Sequence, residues 1–325
     1  MRDVVGHSAR VFGRALVMPN LRPPVATVVQ ALAYRARILA ALPSGSDFEP
    51  LMSLYLTDRT PVDEVRRARE AGIPGFKLYP AGATTNSDDG VTDLANVRSV
   101  LAAMEREGVA LLVHGEVVSP EVDVFDREAV FIERHLETLR RDFPALKLVL
   151  EHLTTQEGVD WVAAAPGPTA ATITAHHLLY NRNALFAGGL RPHWYCLPVL
   201  KRESHRRALV AAATSSSERY FLGTDSAPHA SLLKEHASGC AGCYTALGAL
   251  ELYAEAFQAA GALARLEAFA SLRGAAFHGL SPNRGRVTLV REGWTVPERV
   301  PFGDAELKPL RGGEWLSWKV ETPAP

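Results

Sequence analysis

Short apolar runs alternate along the chain with stretches of helical period. The runs are RALVMPN (14–20), LMSLYLT (51–57), GFKLYP (75–80), ALLVHGE (110–116), KLVLEHL (147–153), AATITAH (170–176) and YFLGTD (220–225). Each is mostly apolar or β-branched, as a parallel strand covered on both faces requires. Between them, TVVQALAYRARILAAL (27–42), DLANVRSVLAAMEREG (93–108) and DREAVFIERHLETLRRDF (126–143) carry apolar residues at helical spacing. Sustained strand–helix alternation predicts a parallel α/β fold. Asn20, Lys77, His114, His152, His176 and Asp225 all fall at the C-terminal ends of predicted strands. A doubly wound sheet gathers its ligands at one crevice, whereas reactive side chains from at least five strands suit the rim of a (β/α)8 TIM barrel. Seven strands are visible where such a barrel closes with eight. Residues 2–12 (RDVVGHSARVF) read as a helix leading into the first visible strand, so the pattern predicts that the barrel's first β-strand is absent.

Composition narrows the class. The chain of 325 residues has 35 Lys+Arg against 36 Asp+Glu, and without basic runs this balance argues against a nucleic-acid or membrane-surface partner. No segment has the ~18 uninterrupted apolar residues of a membrane span, and the first twenty residues do not form a secretory signal. Three cysteines are too few for a disulfide scaffold, which predicts a cytoplasmic setting.

The strand-end residues carry the candidate chemistry. His114 and His152 end consecutive strands, where two imidazoles can converge on a metal ion; Asp225 adds a carboxylate able to ligate metal or accept a proton. Lys77 is unusual, because a bare ammonium at the end of a buried strand is costly. It can pair with a carboxylate or snorkel to the rim. Alternatively its amine has captured CO₂ as a carbamate, whose two anionic oxygens can bridge two ions. Spacing alone leaves these readings open.

The strings VMPN (17–20), KLYPAGATTNSDDGV (77–91), LLVHGE (111–116), DVFDRE (123–128), EHLTT (151–155), RPHWYCLPVLKR (191–202) and GTDSAPH (223–229) closely resemble the homodimeric type of dihydroorotase, a zinc enzyme family of the amidohydrolase superfamily built on the (β/α)8 barrel. The resemblance runs in order from about Gly13 to Leu280. It implies a metal-dependent barrel over residues 1–280, N-terminally incomplete, with a C-terminal extension over 281–325 packing on it. It further implies two Zn²⁺ ions bridged by carboxylated Lys77, the second held by His114 and His152, the first by Asp225, which also acts as general base and acid. Asn20 and His229 would bind the substrate carboxylate and ring, Thr84 and Thr85 would lie on a mobile loop closing over substrate, and backbone groups of Leu197 and Ala241 would read the pyrimidine edge. The implied reaction is reversible cyclisation of N-carbamoyl-L-aspartate to L-dihydroorotate in de novo pyrimidine (UMP) synthesis, in a homodimer with a small-molecule substrate.

One feature of the family pattern has no match here: the His-x-His of its first strand, with an Arg shortly after. His7 is not part of such a pair. The expectation is that the second zinc site keeps its protein ligands, that the first keeps only the bridge and Asp225, and that the chain as written has very low activity. A late start or a shortened chain explains this more simply than decay, since Lys77, His114, His152 and Asp225 are all present. The competing functions are an inactive dihydroorotase-like scaffold or binding subunit, and another cyclic-amide hydrolase such as a hydantoinase or dihydropyrimidinase. Cys240-x-x-Cys243, lacking a second pair, is a weak zinc signal. His176 and His177 match no ligand of the family and are read as structural or site-lining. Lys201, Arg202, Arg206 and Arg207 are read as a solvated helix face.

Overall fold

A computed structural model of the chain describes residues 1–321. Two compact units make it up, one of residues 14–40 and 49–172, the other of residues 1–13, 41–48 and 173 onward.

The first unit is built on strands β1 (Arg14–Val17), β2 (Glu49–Leu56), β3 (Gly75–Leu78), β4 (Ala110–Val113), β5 (Leu148–Leu150) and β6 (Thr169–Ile173). They pair in parallel in chain order, each with the next. Each matches one of the apolar runs; Asn20, His114 and His152 stand just beyond the last paired residues, and Lys77 is the last paired residue but one of β3. Strands β3 to β6 are buried along their whole length, which explains their lack of polar alternation.

Helices α1 (Arg2–Ala9), α2 (Val28–Leu39), α3 (Val62–Glu70), α4 (Arg98–Glu107), α5 (Arg127–Phe131), α6 (Glu137–Asp142) and α7 (Gln156–Ala164) follow the periodic segments. Helix α2 starts at a capping box, in which Thr27 accepts from the Gln30 amide and Gln30 accepts from the Thr27 amide. Helix α4 stops at Gly108, whose φ of 66° places it in the left-handed region that glycine enters without a Cβ penalty. A single wide turn, Ile132–Leu136, joins α5 to α6, so the 126–143 pattern is one helical rod.

The second unit holds β7 (Tyr220–Leu222) and helices α8 (Ala175–Leu179), α9 (Glu203–Ala213), α10 (Ser231–Lys234), α11 (Ala249–Ala259) and α12 (Arg273–Phe277). Helix α1 belongs here: Val4 packs against Tyr244, Ala246, Val300 and Leu307, and Val11 lies with Ala249, Leu250 and Val320. Arg10 of the 2–12 segment is fixed by an ion pair to buried Glu251 at 2.9 Å. Beyond residue 280, β8 (Leu289–Val290), β9 (Trp294–Thr295), β10 (Val300–Phe302), β11 (Ala305–Leu307), β12 (Trp315–Leu316) and β13 (Lys319–Val320) form three short antiparallel pairs. No helix among the described residues is long and apolar enough to cross a membrane.

Lys201 departs from the solvated face expected of it. It is buried, its Nζ donating to the Val199 carbonyl at 3.0 Å. Arg206 is half-buried and bonds both Glu203 and the Leu178 carbonyl; Arg202 and Arg207 are exposed as expected.

Candidate active site

Strand register brings Lys77, His114 and His152 to one end of three adjacent strands. Lys77 pairs with Leu112, Leu78 with Val113 and Val113 with Leu150, so each side chain emerges within about one residue of the same level. The His114 amide continues the ladder by donating to the Leu78 carbonyl at 2.9 Å. All three side chains are buried. The imidazoles of His114 and His152 meet edge-on with centroids 4.7 Å apart, and Lys77 Nζ lies 5.2 Å from the Tyr79 ring centroid.

Two buried carboxylates support this group, and sequence reading gave neither a role. Glu116 accepts from His114 Nε2 at 2.8 Å, both residues about 1% exposed. Such a bond fixes the tautomer and leaves the lone pair on Nδ1. Glu128 of DVFDRE gathers the amides and hydroxyls of Thr154 and Thr155, just after His152. Both patterns have a visible signal, an acidic residue within or facing a strand-end motif, but its meaning depends on a non-local partner.

Asn20 and Thr85 also come together. Asn20 Nδ2 donates to the Thr85 carbonyl at 3.2 Å, and Asn86 Nδ2 returns a bond to the Asn20 carbonyl at 3.0 Å. The 81–90 segment is a turn closed at its base by the Pro80–Val91 bridge and internally by Thr84 and Ser87, which exchange bonds of 2.8 and 2.6 Å.

The other unit carries the remaining candidates. Asp225 follows β7 with φ of 42°, and His152 has φ of 44°. Left-handed conformations cost a non-glycine residue about 1 kcal/mol or more and persist only where surroundings impose them. Among the described residues four non-glycines adopt them, and two are the candidate ligands Asp225 and His152. Next to Asp225, Ser226 Oγ accepts from the Thr245 and Ala246 amides, and Ser226 bridges Cys243. His229 Nε2 donates to the Ala241 carbonyl at 3.1 Å, joining two expected substrate contacts. Burial foremost, then the Lys234 charge, lowers the His229 pKa, so it is neutral near pH 7. A side chain at Gly242 would put its Cβ 2.6 Å from that of Ala227 and 3.0 Å from His229 Nε2, so glycine is required for this approach.

Lys234 holds this segment together through contacts that no local pattern reveals. Its buried Nζ donates to the carbonyls of Tyr195, Cys240 and Gly242 at 2.8, 2.7 and 2.8 Å, two residues before Leu197 and on either side of Ala241. Cys243, half of the CxxC, is buried and donates to the His193 carbonyl.

The donor atoms of His176, His177 and Cys196 lie within 4.8 Å of one another. His177 is already committed, its Nε2 donating to the Pro198 carbonyl at 3.0 Å and its Nδ1 bonded to Thr174 at 2.7 Å. Neither nitrogen of buried His176 has a hydrogen-bond partner among the described residues. Burial, with a smaller push from Lys234, lowers its pKa to about 3. The unfolded chain protonates this residue below about pH 6.5 and the folded chain only near 3, so its share of stability is complete above 6.5 and is lost as pH falls. Between pH 7.5 and 5.5 the loss is about 1.4 kcal/mol. Urea unfolding at the two pH values should show His176→Leu reducing the pH dependence by that amount; an unchanged difference would refute the assignment.

The donor chemistry in the first unit fits a metal ion. Two buried imidazoles lie edge to edge, one oriented by a carboxylate, and a buried lysine stands on the neighbouring strand. The description of the amidohydrolase family matches residues 2–293, and the chain belongs to this family, on its dihydroorotase branch. The relatives that place it there are close. A dihydroorotase of Variovorax paradoxus is 68% identical over 98% of this chain and 93% of its own. The crystal structure of a Saccharomyces cerevisiae dihydroorotase in complex with 5-fluoroorotic acid superposes with a TM-score of 0.89 at 31% identity, covering 98% of this chain and 93% of that one. An L-hydantoinase of Arthrobacter aurescens shares the fold, with a TM-score of 0.80 but 16% identity, over 98% of this chain and 78% of that one. The architecture is thus the (β/α)8 barrel of the amidohydrolases.

Proposed function

We propose that this chain catalyses the reversible cyclisation of N-carbamoyl-L-aspartate to L-dihydroorotate with zinc as its metal. The observation that carries this reading is the set of Lys77, His114 and His152, buried and level with one another at the ends of three adjacent strands. Names given to relatives at 68% identity supply the reaction.

In this reading Lys77, as a carbamate, and the two histidines hold metal, with Asp225 a further ligand. The zinc ions would supply Lewis acidity and water activation. The chain's own groups do the rest. Glu116 keeps the proton of His114 on Nε2, which leaves the Nδ1 lone pair as the one that donates to metal. Asp225 carries the proton to the ring nitrogen as the amide opens, and removes it as the ring closes. Neutral His229, its Nε2 proton used by Ala241, offers Nδ1 as an acceptor to substrate. Asn20, Thr84 and Thr85 bind the substrate carboxylate and close over it, while backbone groups of Leu197 and Ala241 read the ring edge. Closure would exclude water and strengthen these contacts. The working form in this proposal is a cytoplasmic homodimer.

Asp225→Asn tests the reading most directly. It preserves shape and removes the proton carrier, so kcat should fall by about 10²–10⁴-fold in both directions. Dihydroorotate turnover followed in the ultraviolet measures it. Undiminished kcat would remove Asp225 from the proposed chemistry.

A further inference from the structure

Backbone geometry around His152 is held from two sides. On one side its amide donates to Thr172 Oγ1 at 2.8 Å, and the Leu153 amide donates to the Thr172 carbonyl at 2.9 Å. On the other side lies Glu128, about 1% exposed. Its carboxylate accepts from the Thr154 amide at 3.0 Å, the Thr154 hydroxyl at 2.8 Å, the Thr155 amide at 2.8 Å and the Thr155 hydroxyl at 2.5 Å. Thr155 Oγ1 in turn accepts from the Gly158 amide at 3.1 Å, capping α7.

These bonds surround His152 at its left-handed φ of 44°. That conformation has an intrinsic cost, and without the clamp the turn between β5 and α7 would relax toward ordinary backbone values, swinging the imidazole. Only an ionised carboxylate accepts from all these donors at once, and its charge also faces the N-terminus of α7, where negative charge is favoured. Gly158 is part of the device: a Cβ there would fall 2.3 Å from Leu153 Cδ1 and 3.0 Å from Glu128 Oε1.

We propose that Glu128 is a positioning residue for His152, setting the direction of its imidazole through the Thr154–Thr155 turn without touching metal or substrate itself. The proposal rests on the reading of His152 as a metal ligand. It assigns to the DVFDRE motif a part in metal retention at the end of a neighbouring strand.

The test times zinc release from the zinc-loaded protein to a chromogenic chelator, alongside the visible spectrum of the cobalt-loaded form. Glu128→Gln should release zinc about 10–100-fold faster, taking the range by which loss of a ligand's supporting bonds weakens metal affinity, and should alter the cobalt bands. Val162→Ala, which opens a cavity on the buried face of α7, lowers stability without touching the clamp and should release zinc at the wild-type rate. Wild-type release from Glu128→Gln, or equally fast release from Val162→Ala, would overturn the proposal. If Glu128→Gln does not fold, Thr154→Val deletes one donor to the carboxylate and should move release in the same direction, less far; no change there would also overturn it. His152→Ala should itself weaken zinc binding. Undiminished binding in that variant would show the metal reading to be at fault, a failure separate from that of the clamp.

Discussion

Lys77→Ala should abolish metal binding by the set of Lys77, His114 and His152 and lower turnover by more than about 10³-fold, well beyond the loss of a single electrostatic contact. The residue is about 2% exposed at the end of β3, and two physical readings of a lysine there make opposite forecasts. If it were a structural ammonium, replacement by methionine of similar volume would be neutral or stabilising, because desolvating the charge is itself expensive. Metal content would not change. If the amine is a carbamate ligand, Lys77→Met and Lys77→Ala should both lose metal. Alanine differs by leaving a hole of the side chain's length, into which a short carboxylic acid can bring the two oxygens the carbamate supplied. Acetate or propionate should therefore restore part of the metal content and turnover of Lys77→Ala but not of Lys77→Met. Elemental analysis with steady-state kinetics decides it: a Lys77→Ala protein with full metal content and activity would overturn the bridging assignment.

How much of this was legible in the sequence follows from which interactions are local. The strands of the first unit and β7 could be read from apolar runs because burial on both faces removes polar alternation, leaving a contrast with the flanking helices. The first helix was legible too, though it stops at Ala9: Val4 packs from the helix and Val11 from the turn after it. The ligand candidates were visible because the chain sets His or Lys where an apolar run ends. The supporting groups were not. Glu116 lies two residues from His114 and looks like any acidic residue in a loop until the bond is seen. Glu128 is 26 residues from Thr154. Lys201 was misread for a related reason: a lysine beside three arginines has the composition of a solvated face, yet the Val199 carbonyl makes its burial tolerable. Charge in the sequence indicates exposure only when no carbonyl is waiting for it.

Lys234 is the extreme case, and replacing it should produce the largest effect outside the metal ligands. Nothing in the string SLLKEH marks its lysine as buried, but all three protons of the ammonium are used by the carbonyls of Tyr195, Cys240 and Gly242. Burial lowers its pKa, and the three carbonyl dipoles offset part of the cost of the charge. Lys234→Met keeps the length of the side chain and leaves those acceptors without their donor. Each buried carbonyl left unsatisfied costs about 1–3 kcal/mol, and relief from burying the ammonium offsets part of the sum, so a net loss of roughly 3 kcal/mol should appear in urea unfolding. Lys234→Arg should recover little, because a planar fork does not fit three carbonyls converging on one point. The functional consequence follows from where the carbonyls lie. They flank Ala241 and lie two residues before Leu197, whose backbone groups are proposed to read the substrate ring, while the strand-end set of Lys77, His114 and His152 belongs to the other unit. KM for dihydroorotate should therefore rise about tenfold or more, equivalent to about 1.4 kcal/mol of binding, with kcat reduced far less. A variant that loses stability with KM unchanged would make Lys234 a clamp for the fold alone and would remove the 195–197 and 240–242 segments from the proposed substrate site.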